Sequence, residues 1–339
     1  MHFYKSVRLS ILPLILTLFT SSAFSNEVNV YSYRQPFLIQ PIFDAFTKES
    51  GIDVNVVFAK KGLSERLARE GKNSPADLVF TVDIGRLIDV VNKDLVQNVD
   101  SSILTKNIPS QYRDPEGKWF GLTTRTRSIY VSKERANLAD IQNYEDLSKS
   151  EWKGRICTRS GKHPYNLALI ASMIAHHGEE KATEWLKGVK ANLARKPQGN
   201  DRAQVKAIKE GVCDISLGNN YYYGKMLNNP DQIEWANAVH ITFPNQNNRG
   251  THVNISGMAL TNSAPNKENA IKLMEFLSEK LAQKMYSEQN FEYPVNPSVE
   301  PSGLLQSWGS FKSDHLPLSD IATLRKQAAI LVDQIGFDE

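Results

Sequence analysis

The chain has 339 residues, 40 basic against 37 acidic side chains, a formal charge of +3 and 41% hydrophobic residues. That length exceeds one ordinary core and fits two lobes. The near balance of charge argues against a nucleic-acid binder or a membrane-surface protein, which would carry a strong basic excess or basic clusters.

Residues 1–25 read as an export leader: Lys5 and Arg8 form a basic start, Ile11 to Phe19 an apolar run, and Ala23-Phe24-Ser25 a small-residue cleavage site. The run is too short to span a membrane, and no cysteine near the cleavage point offers a lipid anchor. The expectation is an exported, soluble chain from about Asn26, periplasmic in a bacterium, with 38 basic against 37 acidic side chains once Lys5 and Arg8 are gone. Cys157 and Cys213 are the two cysteines of this exported chain; a disulfide and two buried thiols both fit the sequence.

From Val28 the pattern is strand, helix, strand. Val28–Tyr33 alternates, an apolar-periodic stretch with Phe37, Ile42, Phe43 and Phe46 starts near Pro36 and stops at Gly51, and Ile52–Phe58 alternates again. A helix over Leu63–Glu70, a buried strand over Ala76–Phe80 and a helix over Ile84–Asn92 repeat the theme, which predicts a parallel-dominated α/β sheet. Phe120–Val131 is a long β-type run with Arg125 and Arg127 on one face. A second long run, Thr251–Leu260, follows about 120 residues later. Between them lie helices predicted at Pro164–His177, Glu179–Leu193 and Arg202–Glu210, and a strand, Cys213–Leu217, that leads to Tyr221-Tyr222-Tyr223, with a helix opening around Lys225–Leu227. Helices over Lys267–Ser278, Leu281–Glu288 and Ser319–Ile335 complete the chain. The organisation expected is a two-lobed clamp with two crossing strands and a cleft, one lobe from residues 26–124 and 250–300, the other from 125–249 and 301–339.

Enzyme signatures are missing from this pattern. The first strand has no G-x-G-x-x-G after it, Gly161-Lys162 lacks the rest of a phosphate loop, Asn254-Ile255-Ser256-Gly257 is not a nucleophile elbow, and no H-E-x-x-H occurs. His176-His177, near a helix end, reads as a solvated, dipole-favoured pair. The residues therefore favour a binding protein over a catalyst.

Tyrosines carry the chemistry. Tyr221 and Tyr222 stand where a strand gives way to a helix, at the sheet edge where open α/β sheets bind ligands. Tyr165 follows Pro164 in the first turn of another helix, where free N–H groups and the helix dipole favour an anion. The two edges together could line an aromatic pocket, or gather three phenolates on a hard cation that deprotonates its ligands. Tyr223, roughly 200° round the helix from Tyr221 at ~100° per residue, reads as packing. Three phenolates would nearly neutralise a trivalent ion and leave positions for an oxyanion such as carbonate. Arg125, Arg127 and Arg34 are candidate anchors for it, with the Ser160-Gly161 backbone as a further cradle.

The chain resembles the periplasmic ferric-iron-binding proteins of ABC importers. The similarity runs from Asn26 to Glu339 through Tyr31-Ser32-Tyr33-Arg34, Ser74-Pro75-Ala76-Asp77, Leu122–Arg127, Trp152–Cys157, Ser160–Asn166, Asn220-Tyr221-Tyr222, His252–Gly257 and Glu292–Val295. The resemblance implies a transferrin-like type II periplasmic-binding-protein fold, with Fe(III) held by Tyr165, Tyr221 and Tyr222. It also implies an inner-membrane permease and ATPase as partners, and no chemistry by the protein itself, which is expected to act as a monomer without inserting in a membrane. Some members add a His-Tyr pair after the first strand's arginine; Gln35 and Pro36 stand there instead, which favours a shell completed by an anion on Arg125. Two other readings remain at this stage: a receptor of the same fold for an organic anion or polyamine, and an exported enzyme using a tyrosine.

Overall fold

A computed structural model describes residues 26–339; the predicted leader lies outside the described residues. The first elements follow the expected order: β1 (Glu27–Ser32), α1 (Pro36–Ser50), β2 (Asp53–Phe58), α2 (Leu63–Glu70), β3 (Leu78–Thr81) and α3 (Ile84–Asn92). Pro36 occupies the first turn of α1, where its missing N–H is no loss, and Asp83 caps α3 by accepting from Arg86 N. Next come β4 (Val96–Gln97), α4 (Ser102–Asn107) and the long β5 (Phe120–Ser132).

The central region holds β6 (Ile156–Cys157), α5 (Pro164–Ala191), α6 (Asp201–Lys209), β7 (Ile215–Asn219), α7 (Asn220–Leu227), α8 (Ile233–Asn237) and β8 (Val239–Thr242). β9 (Val253–Thr261), α9 (Lys267–Ser278), α10 (Lys280–Asn290), β10 (Tyr293–Pro294), α11 (Gly303–Gln306) and α12 (Leu318–Ile335) close the chain. The two helices predicted over Pro164–Leu193 abut as α5. Their junction is Gly178, whose φ of 78° and ψ of 166° no helix accommodates and most side chains avoid. α7 starts at Asn220, five residues before the predicted opening at Lys225. Extended Asn219 ends the strand, and the Asn220 side chain accepts from Thr126 N and donates to Phe291 O, both at 2.9 Å. The tyrosines thus lie inside the first turn of α7.

The sheet is mixed, which corrects the parallel-dominated expectation. Its order is β2-β1-β3-β9-β5-β7-β6, with β4 on β9 and both β8 and β10 on β5. β1 pairs in parallel with β2 and β3, and β6 with β7, but β9 enters antiparallel between β3 and β5. β5 serves two partners in turn: Phe120–Thr126 pairs with β9 and Arg127–Val131 with β7. It is therefore one of the crossing strands, buried at every position.

Two large apolar clusters pack on the sheet, and the second runs across the crossing, taking in Ile84, Leu87 and Ile255. Val28, Phe43, Phe80, Leu273 and Tyr286 belong to one, and Ile129, Ile156, Ala171, Leu217, Ala328 and Leu331 to another. Each fully buried aliphatic or aromatic side chain contributes roughly 1.5–3 kcal/mol. His176 and His177 are not free in solvent as expected: their Nε2 atoms lie 2.7 Å from Asp314 and Glu145. Cys157 and Cys213 are joined as a disulfide, with Cα atoms 5.9 Å apart.

The strand feeding the tyrosines packs against a ring. A Cβ on Gly218 would stand 2.2 Å from Cε2 of Tyr130, whose hydroxyl donates to Asn219 O at 2.7 Å. Gly218→Val must displace that ring, and we expect a loss of about 1–3 kcal/mol, read as a lower urea midpoint with an unchanged slope.

Candidate functional site

Two strand ends deliver the tyrosines. After β6 the chain turns through Thr158–His163 into α5; His163 caps that helix by accepting from Tyr165 N at 3.3 Å, with Pro164 in its first turn. After β7 it passes directly into α7. Tyr165 and Tyr221 consequently point to the same place, and Tyr221 donates its hydroxyl hydrogen to the Tyr165 oxygen at 3.1 Å. The Tyr222 ring lies against Tyr221, centroids 4.2 Å apart. Tyr221 is buried; Tyr165 and Tyr222 are half-buried. Tyr223 faces away and packs on Tyr130 and Trp308, at 6.1 and 5.3 Å.

The three phenols open onto a cleft of about 860 Å³ whose wall also includes Arg34, Arg125, Arg202, Lys225, Glu288 and Glu292. Four cationic side chains thus face two acidic ones. Burial, reinforced by Tyr165 and Tyr222, pushes the Tyr221 phenol well above its usual range. Burial, with Tyr165 and Asp201 adding to it, pushes Tyr222 up to about 12. Both are neutral phenols unless a cation ionises them. Burial, with the Arg159 guanidinium, brings His163 down to about 3, so it caps α5 as a neutral ring. Burial alone leads in lowering the Lys225 ammonium to about 8.

Behind the tyrosines, arginines are held by shared carboxylates. Glu292 accepts from Arg34 Nη2 at 2.7 Å and from the Thr123 hydroxyl, and lies 3.8 Å from Arg125 Nη1. Arg125 donates to Ser256 Oγ and Ile255 O, each at 2.9 Å, and its guanidinium carbon lies 5.8 Å from the Tyr165 ring centre. The Nε atoms of Arg34 and Arg125 are buried with no hydrogen-bond partner among the described residues. Asp201 binds Arg127 at 2.6 Å and Arg159 at 3.2 Å, and accepts from Asn219 N at 3.0 Å. Arg159 in turn lies 5.5 Å from the Tyr165 ring centre.

The structure brings Tyr165, Tyr221, Tyr222, Arg125 and Arg34 to one cleft and assigns the other predicted residues elsewhere. Arg127 does not line it: a guanidinium buried to 2% exposure needs a carboxylate, and Arg127 takes Asp201 together with the Asn219 and Asn166 side-chain oxygens. The Ser160-Gly161 cradle does hold an anion, but it is the chain's own Asp338, which accepts from Ser160 Oγ at 2.5 Å and Gly161 N at 2.7 Å. Sequence reasoning missed Glu292, Asp201, Arg159, Arg202 and Lys225. The available signal was that arginines on buried strands require carboxylates; which carboxylates is decided by tertiary packing. Among the described residues, no group of three or more His, Cys, Asp or Glu is placed to hold a metal, so a metal here would depend on phenol oxygens.

A mixed sheet crossed by shared strands, with a polar cleft at the strand ends, defines a two-lobed binding protein of the transferrin-like type. Residues 73–307 match the family described as bacterial extracellular solute-binding protein, and the chain belongs to that family. Iron uptake protein A1 of Synechocystis is 40% identical over 314 residues, covering 92% of this chain and 87% of that protein. The crystal structure of apo ferric ion-binding protein A from Pasteurella haemolytica aligns with a TM-score of 0.89 at 55% identity, covering 93% of this chain and 99% of that one. A Trichodesmium protein solved in complex with iron and citrate aligns with a TM-score of 0.88 at 43% identity, covering 92% and 99%.

The shared carboxylates link stability to pH. Burial disfavours charge on Asp201, but Arg127 and Arg159 outweigh it and hold the carboxyl below its ordinary range; Arg34 and Arg125 do the same for Glu292. A depressed carboxyl stabilises the fold above its unfolded pKa, near 4, and that stability is lost as pH falls through the depressed value. Asp201→Asn should cost about 3–5 kcal/mol at neutral pH, because two guanidiniums lose their buried partner. Its stability should also fall less steeply in acid than that of the unaltered protein, as followed by urea unfolding across pH.

Proposed function

We propose that the protein is a periplasmic receptor that captures ferric iron on Tyr165, Tyr221 and Tyr222 and hands it to an inner-membrane ABC permease driven by its ATPase. The observation that carries this reading is the 3.1 Å approach of the Tyr165 and Tyr221 oxygens, with Tyr222 against them, on a cleft wall richer in cations than in acids. Trivalent iron is hard and prefers anionic oxygen donors. Three phenolates supply three negative charges, and Arg125 anchors an oxyanion such as carbonate in the remaining positions, with Arg34 and Glu292 fixing it from behind. Relatives named for iron uptake and ferric-ion binding support the same cargo.

The lobes, divided within β5 where it changes partner between Thr126 and Arg127, two residues beyond the 124/125 division expected from sequence, would close about β5 and β9 as a hinge. The protein performs no reaction of its own: it binds, shields and releases as a monomer. The excess of cationic side chains in the cleft disfavours a polyamine and favours an anionic or anion-assisted ligand.

The visible spectrum tests the reading. Ferric citrate with bicarbonate added to the apo protein should produce a strong phenolate-to-iron charge-transfer band. That band should be lost or sharply weakened in Tyr221→Phe and Tyr222→Phe. A protein that stays colourless under saturating ferric citrate sinks the proposal.

Proton release gives a second test. Tyr221 and Tyr222 are neutral phenols until the cation arrives, so binding expels a proton from each, and affinity rises with pH by about tenfold per pH unit for each phenol ionised. Competition against citrate at successive pH values should show this slope, and replacing Tyr222 with Phe should reduce it by about one proton.

A further inference from the structure

The two tyrosine-bearing arms share a feature beyond their meeting point. Tyr165 stands eight residues after Cys157, and Tyr221 eight residues after Cys213. In each arm the chain leaves its cysteine, runs out at the same edge of the sheet and turns into a helix whose first turn carries the tyrosine. The arms start side by side, since β6 and β7 run parallel with Cys157 in register with Ser216. They are joined twice: by the disulfide at the root and by the Tyr221–Tyr165 hydrogen bond at the tip.

The remaining ties between the arms are a short ladder and a few polar bridges. The β6–β7 ladder has two residue pairs, Ile156 with Ile215 and Cys157 with Ser216. Below the disulfide, Arg155 holds Asp214 through its side chain at 2.7 Å and through its carbonyl, which accepts from Asp214 N at 2.8 Å. Towards the tip, Asp201 reaches across from α6, binding Arg159 of the first arm and Asn219 N of the second, and Arg127 of β5 donates to Asn166 of the first arm at 2.7 Å and Asn219 of the second at 3.0 Å. The disulfide is the one covalent link between the arms. It is buried, at 0% and 2% exposure, and belongs to the apolar cluster containing Tyr130, Tyr223 and Met226. That cluster supports the first turn of α7 from below.

We propose that the Cys157–Cys213 disulfide is a positioning element of the cation site, fixing the spacing of the two arms so that the Tyr165 and Tyr221 oxygens meet one metal ion. This rests on the iron reading above. With the disulfide open, the fold persists through the sheet and its two main cores, while the arms separate more readily at the root and the phenol oxygens lose their fixed distance. Opening it with a trialkylphosphine is balanced: the phosphine becomes its oxide with oxygen from water, the S–S bond breaks and two thiols form.

Gallium(III) is the probe, because it has the charge and oxygen preference of ferric iron but is not reduced by thiols. Titrate it, with bicarbonate, into the unaltered protein and into the Cys157→Ala/Cys213→Ala double variant. Follow the ultraviolet difference signal of tyrosinate and, separately, thermal unfolding by circular dichroism. The expected result is a folded variant that binds about 10- to 100-fold more weakly, the usual cost of losing a group that orients metal ligands, and forms fewer tyrosinates per metal ion. If the double variant fails to fold, the unaltered protein is reduced by the phosphine in mild denaturant, desalted, titrated and then reoxidised. Affinity should fall on reduction and return on reoxidation. Equal affinity and equal tyrosinate yield, with only a lower melting temperature, would overturn the positioning role and leave the iron reading intact. An unaltered protein that gives no tyrosinate signal with gallium(III) overturns both.

Discussion

The structure depends on how guanidinium groups are kept charged inside it. A buried arginine remains ionised and must find a carboxylate, or the fold carries an uncompensated charge. This protein places four arginines behind its tyrosines and divides two carboxylates among them: Glu292 between Arg34 and Arg125, and Asp201 between Arg127 and Arg159. Each shared carboxylate neutralises one guanidinium and leaves a positive remainder. The remainders lie beside Tyr165, with both Arg125 and Arg159 within 6 Å of its ring centre. A neutral phenol gains little from such neighbours, whereas a phenolate or a bound oxyanion gains much. The electrostatics of the site therefore follow from how the fold neutralises its own interior.

Much of this was legible in the sequence, because the features concerned are local. The strand-to-helix junctions that present Tyr165 and Tyr221 are marked by Pro164 and by the alternating run that follows Cys213. Tyr223 was separable from its neighbours by helical geometry alone, and it does pack on Tyr130 and Trp308. What could not be read were partners distant in sequence. Arg127 resembles Arg125 in every local respect: same strand, same face, two residues apart. Asp201, 74 residues further along the chain, is what assigns Arg127 a structural role. The Ser160-Gly161 turn is similarly a sound anion cradle by local rules, yet Asp338, 177 residues away from Gly161, occupies it.

The sheet shows the same limit on a larger scale. Alternating strands and helices predict parallel pairing, and the parallel β2-β1-β3 set obeys. β9 reaches β3 and β5 from far along the chain and reverses the local direction. No periodicity within β9 distinguishes an inserted antiparallel strand from another parallel one, since both are buried on two faces.

That insertion also places the candidate site at the crossing of the sheet, where the proposed hinge lies. β5 is paired to β9 as far as Thr126 and to β7 from Arg127 onward, so the change of partner falls between the two arginines. Arg125 is tied to Ser256 and Ile255 on β9, while Arg127 is tied to Asn219 at the end of β7 and to Asp201 on α6. A relative movement of the two halves about this point changes the distance between the Arg125 and Arg127 networks. In such a movement the tyrosines, anchored to the β6–β7 side, would go with Arg127 and Asp201, and Arg125, the proposed anion anchor, with β9. A ligand that bridges phenolates to Arg125 therefore gains contacts from both networks only when the halves come together. Differential affinity of this kind is what a ligand needs in order to shift a conformational equilibrium.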